Sequence, residues 1–126
     1  MIRDRNTIRQ TLLNTGEFFV NDYFEHYLDL VCREDQPTTR KGCQKHHILQ
    51  RAYFKMINQS LDNKKANLIN LLYRDHCLAH WLLYNCTQGS LRQANASAFI
   101  LMVSRPKPEN LSEEEYQKLQ QQREVV

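Results

Sequence analysis

The chain changes hydrophobic period several times, and the changes place its elements. Ile2, Ile8, Leu12 and Leu13 give weak helical spacing, enough for a short helix before Gly16. Tyr23, Phe24, Tyr27, Leu28 and Val31 then recur on one helical face. Asn21 is placed to cap that helix, with Asp22 and Glu25 in its first turn, where negative charge suits the helix dipole. Residues 34–42, EDQPTTRKG, are turn-rich and close it. Cys43 to Ile48 fits a short extended segment, and Leu68, Ile69, Leu71 and Leu72 fit the second strand of a small hairpin. Between them Ala52, Tyr53, Phe54, Met56 and Ile57 form a helical turn or packed loop, and Asp62-Asn63 signals a turn. A helix over 74–87 follows, its apolar surface supplied by Leu78, Ala79, Trp81, Leu82 and Cys86, with Trp81, Leu82 and Leu83 read as core and Gly89 as its stop. Ser90 can cap a further helix over 90–104 whose shared face is Leu91, Ala94, Ala98, Leu101 and Met102, widened by Phe99, Ile100 and Val103, and ended by Pro106 and Pro108. Ser112-x-x-Glu115 is a capping box opening a polar helix over 113–123, with a thin stripe of Leu111, Tyr116 and Leu119. The fold class expected is α+β, mostly helical.

Composition narrows the class without changing that picture. The 126 residues make one domain of ordinary globular composition, 41% apolar and 25% charged. No apolar run is long enough to span a membrane, and the arginine-bearing start MIRDRNTIRQ predicts no secretory signal. Cys32, Cys43, Cys77 and Cys86 include no CxxC pair and match no zinc knuckle; reduced, mostly buried thiols are expected. The net charge of +3 is unevenly spread: residues 109–126 carry a net −3 and the rest a net +6. Residues 40–74 hold eight basic side chains and a single acid, Asp62. Such a block fits either a phosphate-bearing partner or a solvated basic face. Arg3, Arg5 and Arg9 are expected as solvated surface on a poorly ordered terminus, with contact to a nucleic-acid backbone as the alternative.

The densest chemistry lies between His46 and His80, which hold four of the five histidines. His76 and His80 are i and i+4 on the predicted helix, so their imidazoles stand one above the other and can close on one metal ion. Cys77 follows His76, where a metalloprotease helix would carry glutamate. The His46-His47 pair is the one dense source of a third ligand. Adjacent strand residues point to opposite faces, so one of the two would ligate and the other stay free beside the metal. A free imidazole, with an ordinary pKa of about 6.5, is a general base suited to neutral pH. Three protein ligands leave a coordination position open, and metal plus base suits phosphodiester hydrolysis. His26, off its helix's apolar face, reads as a surface histidine.

His46-His47-Ile48, Asp62-Asn63, Asn67-Leu68-Ile69-x-Leu71 and Asp75-His76-x-x-Ala79-His80 together resemble the HNH endonuclease motif, the ββα-metal or His-Me finger fold. The likeness is greatest to small HNH proteins of phages and mobile elements; the double histidine with a terminal HxxxH also resembles the nuclease domains of DNase colicins. It implies an HNH nuclease domain over 1–126, with its core at 43–88, a helical flank at 1–42 and C-terminal helices at 90–126. It further implies His46, His76 and His80 as metal ligands and His47 as the base that activates water. Asn67 would tie the loop between strand and helix in place and so orient that base. One divalent ion (Mg²⁺, Mn²⁺, Ni²⁺ or Zn²⁺), a DNA substrate and the cytoplasm of a bacterial or phage-infected cell are the corresponding expectations. Arg74, Arg51 and Lys45 are candidates for phosphate contacts from charge and proximity alone. The sequence departs from the family after Ile48. Leu49-Gln50-Arg51 stands where proline and a Gly-Gly turn are common, and no glycine occurs between Gly42 and Gly89.

Two further readings compete with the nuclease. In one, the metal only holds the fold and the basic block binds nucleic acid without cleaving it. In the other, the acidic C-terminal helix docks a protein partner or a second copy, and the histidines are incidental.

Overall fold

The computed structural model of the chain describes residues 4–37 and 42–126. The fold is α+β: helices α1 (Arg5–Leu13) and α2 (Asp22–Val31), strand β1 (Cys43–His47), a short helix α3 (Arg51–Met56), strand β2 (Leu68–Leu72), then α4 (Tyr73–Cys86), α5 (Gly89–Val103) and α6 (Glu113–Val125). Arg3, Arg40 and Lys41 lie outside the described residues. Among the described residues no helix is long and apolar enough to cross a membrane.

The first turn of α2 forms as its sequence directs, with the Asn21 side chain accepting from the Phe24 amide at 2.9 Å. Its buried face is Phe24, Tyr27, Leu28, Leu30 and Val31, while Tyr23 turns outward at 41% exposure. The expected terminal arginines are not loosely solvated. Arg5 pairs with Glu25 and Asp29, and Arg9 with Glu25, so α1 is fastened along α2 by ion pairs. The guanidinium of Arg9 also lies 5.3 Å from the centroid of the Phe24 ring.

β1 and β2 are antiparallel, pairing Cys43 with Leu72, Gln44 with Leu71, Lys45 with Asn70, His46 with Ile69 and His47 with Leu68. The two-residue period of a strand sorts these positions. Gln44, His46, Ile69 and Leu71 share the inner face, where Ile69, Leu71 and His46 are buried. Lys45 and His47 share the outer face. α4 begins at the residue after β2, so Leu68–Cys86 runs without a loop from strand into helix.

The 20 residues between the strands close on Asn67. Its amide oxygen accepts from the Leu49 amide at 2.7 Å, and its amide nitrogen donates to Leu49 and Asp62 carbonyls at 3.0 and 2.9 Å. Tyr53 and Phe54 of α3 pack on the core, whereas Met56, expected to pack with them, is 44% exposed.

Two apolar clusters carry the packing. One joins α1, α2, the hairpin and α4; the other joins Tyr73 and Cys77 to Phe99, Met102, Val103, Leu111 and Leu119. Trp81 packs against both. In α5 the buried face is Leu91, Asn95, Phe99, Met102 and Val103, all expected on that face except Asn95, whereas Leu101, expected there too, is 60% exposed. Gly89 does not stop α4: α4 ends at Cys86, and Gly89, at φ +60°, opens α5 with Gln88 rather than Ser90 as its cap residue. The capping box at Ser112 and Glu115 forms as expected. Cys77 and Cys86 are buried free thiols.

Leu71 is fully buried on the inner face, under the helices that bracket the hairpin. Leu71→Ala should cost about 2–5 kcal/mol, measured by urea unfolding of the metal-free protein; a loss below about 1 kcal/mol would contradict the packing described.

Candidate metal centre

Two elements, β1 and α4, bring three histidines together. β1 carries His46 inward, and α4 stacks His76 and His80 over it, one turn apart. One ring nitrogen from each lies within 4.8 Å of the others. The ring centroids are 5.2 Å apart for His46–His76 and His46–His80, and 4.9 Å for His76–His80.

Each ring also has a fixed polar neighbour. His76 Nδ1 lies 2.7 Å from Gln44 Oε1, a contact built by the strand period that puts Gln44 beside His46. His80 Nδ1 lies 2.9 Å from Asn95 Oδ1. The Asn95 amide donates to Leu91 O at 2.8 Å and to Gln50 Oε1 at 2.7 Å, so its oxygen faces the histidine. His46 Nε2 lies 2.7 Å from the hydroxyl of Tyr27.

The Nδ1 atoms of His76 and His80 therefore act as donors, and their Nε2 lone pairs are left facing each other at 3.2 Å. That contact is repulsive between two neutral imidazoles unless a proton or cation lies between them. Two nitrogens bound to one tetrahedral zinc at 2.0–2.1 Å are themselves about 3.4 Å apart. The pair thus fits a shared ion with little adjustment, and His46 supplies the third nitrogen.

Burial and crowding keep the cluster neutral. The pKa of His46 falls well below 6.5, first from burial and then from the neighbouring His80, His76 and His47. His76 is lowered to about 3 by burial and by His80. His80 is lowered by burial, partly offset by its bond to Asn95. Neutral imidazole is the ligating form, so lowered values let a metal compete with protons.

His47 leaves β1 on the other face. Its Nε2 lies 2.9 Å from Asn63 Oδ1. Asn67 does not touch it directly: Asn67 holds the carbonyl of Asp62, and the next residue, Asn63, holds the imidazole. Asn67 thus ties the segment between the two strands rather than the expected loop between strand and helix, because β2 runs directly into α4. Lys45 shares the outer face with His47, and Arg51 opens α3; both are exposed. Arg74 is exposed too, but its guanidinium lies 3.5 Å from Glu115 of α6. The apolar stripe of α6 is spent within the chain, where Leu111 and Leu119 are buried. His26 is exposed on α2, away from this cluster's hydrogen bonds.

Tyr27, Gln44, Asn95 and Gln50 went unmarked by spacing, because none belongs to a histidine pattern, and Asn63 was marked only as a turn and motif residue. The one available signal was Asn95 at the centre of an otherwise apolar helical face, a polar residue whose burial demands a partner. No protein-family model, curated protein or solved structure matches the chain.

The lowered pKa values fix a pH dependence. As pH falls below about 6.5 the unfolded chain takes up protons that the folded chain resists, so stability is full above that pH and declines below it. Between pH 6.5 and 5, each of His46, His76 and His80 should contribute up to about 1.4 kcal/mol per pH unit of this loss. Denaturation of the metal-free protein across that window measures it, and a flat profile would contradict the buried neutral cluster.

Proposed function

We propose that this chain is a metal-dependent endonuclease of the HNH type, hydrolysing DNA phosphodiester bonds with a histidine base and one divalent ion. β1, β2 and α4 would form its ββα-metal core. The observation that carries the reading is the division of labour at the end of β1: His46 turns inward to His76 and His80, while His47 turns outward. A structural metal site has no use for the second histidine; a hydrolytic one does.

His46, His76 and His80 would hold the ion through neutral nitrogens. A donor set of imidazoles without carboxylate favours Zn²⁺ or Ni²⁺ over Mn²⁺ or Mg²⁺. Bound there, an ion would supply Lewis acidity for the scissile phosphate and for the charge developing on its oxygens. Donation from His47 Nε2–H to Asn63 Oδ1 would leave Nδ1 as the basic nitrogen, which would take a proton from the attacking water. Asn67, through Asp62 and Asn63, holds the ring in that orientation. Lys45, on the face of His47, and Arg51 would contact flanking phosphates; Arg74 would do so by exchanging Glu115 for phosphate.

Purified protein should nick or linearise plasmid DNA when one of Zn²⁺, Ni²⁺, Mn²⁺ or Mg²⁺ is supplied, and EDTA should stop it. His47→Ala should lower the cleavage rate about 10²–10⁴-fold with metal affinity nearly unchanged. Asn63→Ala should give a smaller loss of the same kind, and His80→Ala should weaken metal binding itself. Wild-type protein that binds metal and DNA but cleaves with none of these ions would leave a metal-stabilised nucleic-acid-binding module instead.

A further inference from the structure

We infer that Tyr27 is a positioning residue of the metal centre, fixing which nitrogen of His46 is offered to the ion. Tyr27 lies on α2, outside the stretch from His46 to His80 that holds the three ligands. It is fully buried, and its hydroxyl has two neighbours: the carbonyl of Ile48 at 3.1 Å and His46 Nε2 at 2.7 Å. A hydroxyl has one proton. The Ile48 carbonyl can only accept, whereas a neutral imidazole nitrogen can donate or accept. Both contacts are satisfied when Tyr27 donates to Ile48 O and accepts from His46 Nε2–H. His46 is then in the Nε2–H tautomer, and the lone pair left to it is on Nδ1.

The same reasoning gives the opposite tautomer to the two histidines of α4. Gln44 and Asn95 each present an oxygen to Nδ1, so His76 and His80 offer Nε2. The centre is therefore preset with one Nδ1 and two Nε2 donors before any ion arrives. Preset rings spare the ion the cost of selecting tautomers and turning side chains. Tyr27 also links the two jobs of the strand end, because Ile48, which it anchors, directly follows His47.

Tyr27 matters to a metal only if His46, His76 and His80 hold one, as proposed above, so the test has an arm that needs no metal. Long-range ¹H–¹⁵N correlation spectra of the metal-free full chain should show His46 as the Nε2–H tautomer, and Tyr27→Phe should abolish that preference. Titration with Co²⁺, followed by its visible absorption and by competition with Zn²⁺, should show Tyr27→Phe binding about 10–100-fold more weakly than wild type, with an altered Co²⁺ spectrum. Leu28→Ala, in the same helix and also buried, is the control for lost packing; it should destabilise the chain without changing the tautomer or the spectrum. An Nδ1–H tautomer of His46 in wild type would overturn the inference. So would Tyr27→Phe that binds Co²⁺ no more weakly than Leu28→Ala. Wild type that binds neither ion would overturn the metal centre itself, while the tautomer of His46 would still decide the role of Tyr27.

Discussion

The structure turns on a repulsion that it does not relieve internally. His76 and His80 have their Nδ1 hydrogens committed to Gln44 and Asn95, and their remaining lone pairs meet at 3.2 Å beside the buried ring of His46. Protonation would relieve the contact, but burial and the neighbouring imidazoles oppose it, as the lowered pKa of His76, about 3, records. A divalent cation would relieve it at neutral pH. Much of the fold serves this point: the inner face of the hairpin delivers Gln44 and His46, α4 delivers the other two rings, and α2 and α5 deliver Tyr27 and Asn95.

The hairpin separates two environments. Its inner face is largely buried and turns His46 toward the two rings of α4; its outer face carries His47 and Lys45. A one-residue change of register would exchange them, placing Lys45 and His47 in the core. Register is held by Ile69 and Leu71 on the inner face and by the clamp of Asn67 on Leu49 and Asp62. The glycine-free segment after Ile48 works without the usual tight turn because Asn67 gathers its two ends, while Tyr53 and Phe54 supply packing.

The hairpin, α4 and the caps of α2 and α6 were legible because their signals are local: strand alternation, the four-residue histidine spacing, Asn21 and Ser112. That one histidine of the 46–47 pair joins His76 and His80 was legible from ligand count; that it is His46 followed only from the family resemblance. What escaped was non-local. Asn95 interrupts the buried face of α5, and an apolar pattern gives a polar residue no place on that face. Tyr27 is an ordinary core aromatic by spacing, and its hydroxyl gains meaning only through a contact 19 residues away. Arg5 and Arg9 read as free charges because Glu25 and Asp29 lie on another helix.

X-ray absorption at the zinc edge of the loaded, full-length chain tests the centre most directly. The account predicts one tightly bound ion per chain, with scattering from three imidazole nitrogens at about 2.0–2.1 Å and no sulfur shell near about 2.3 Å. Substoichiometric binding, fewer than three imidazoles, or a sulfur contribution from a cysteine would contradict it.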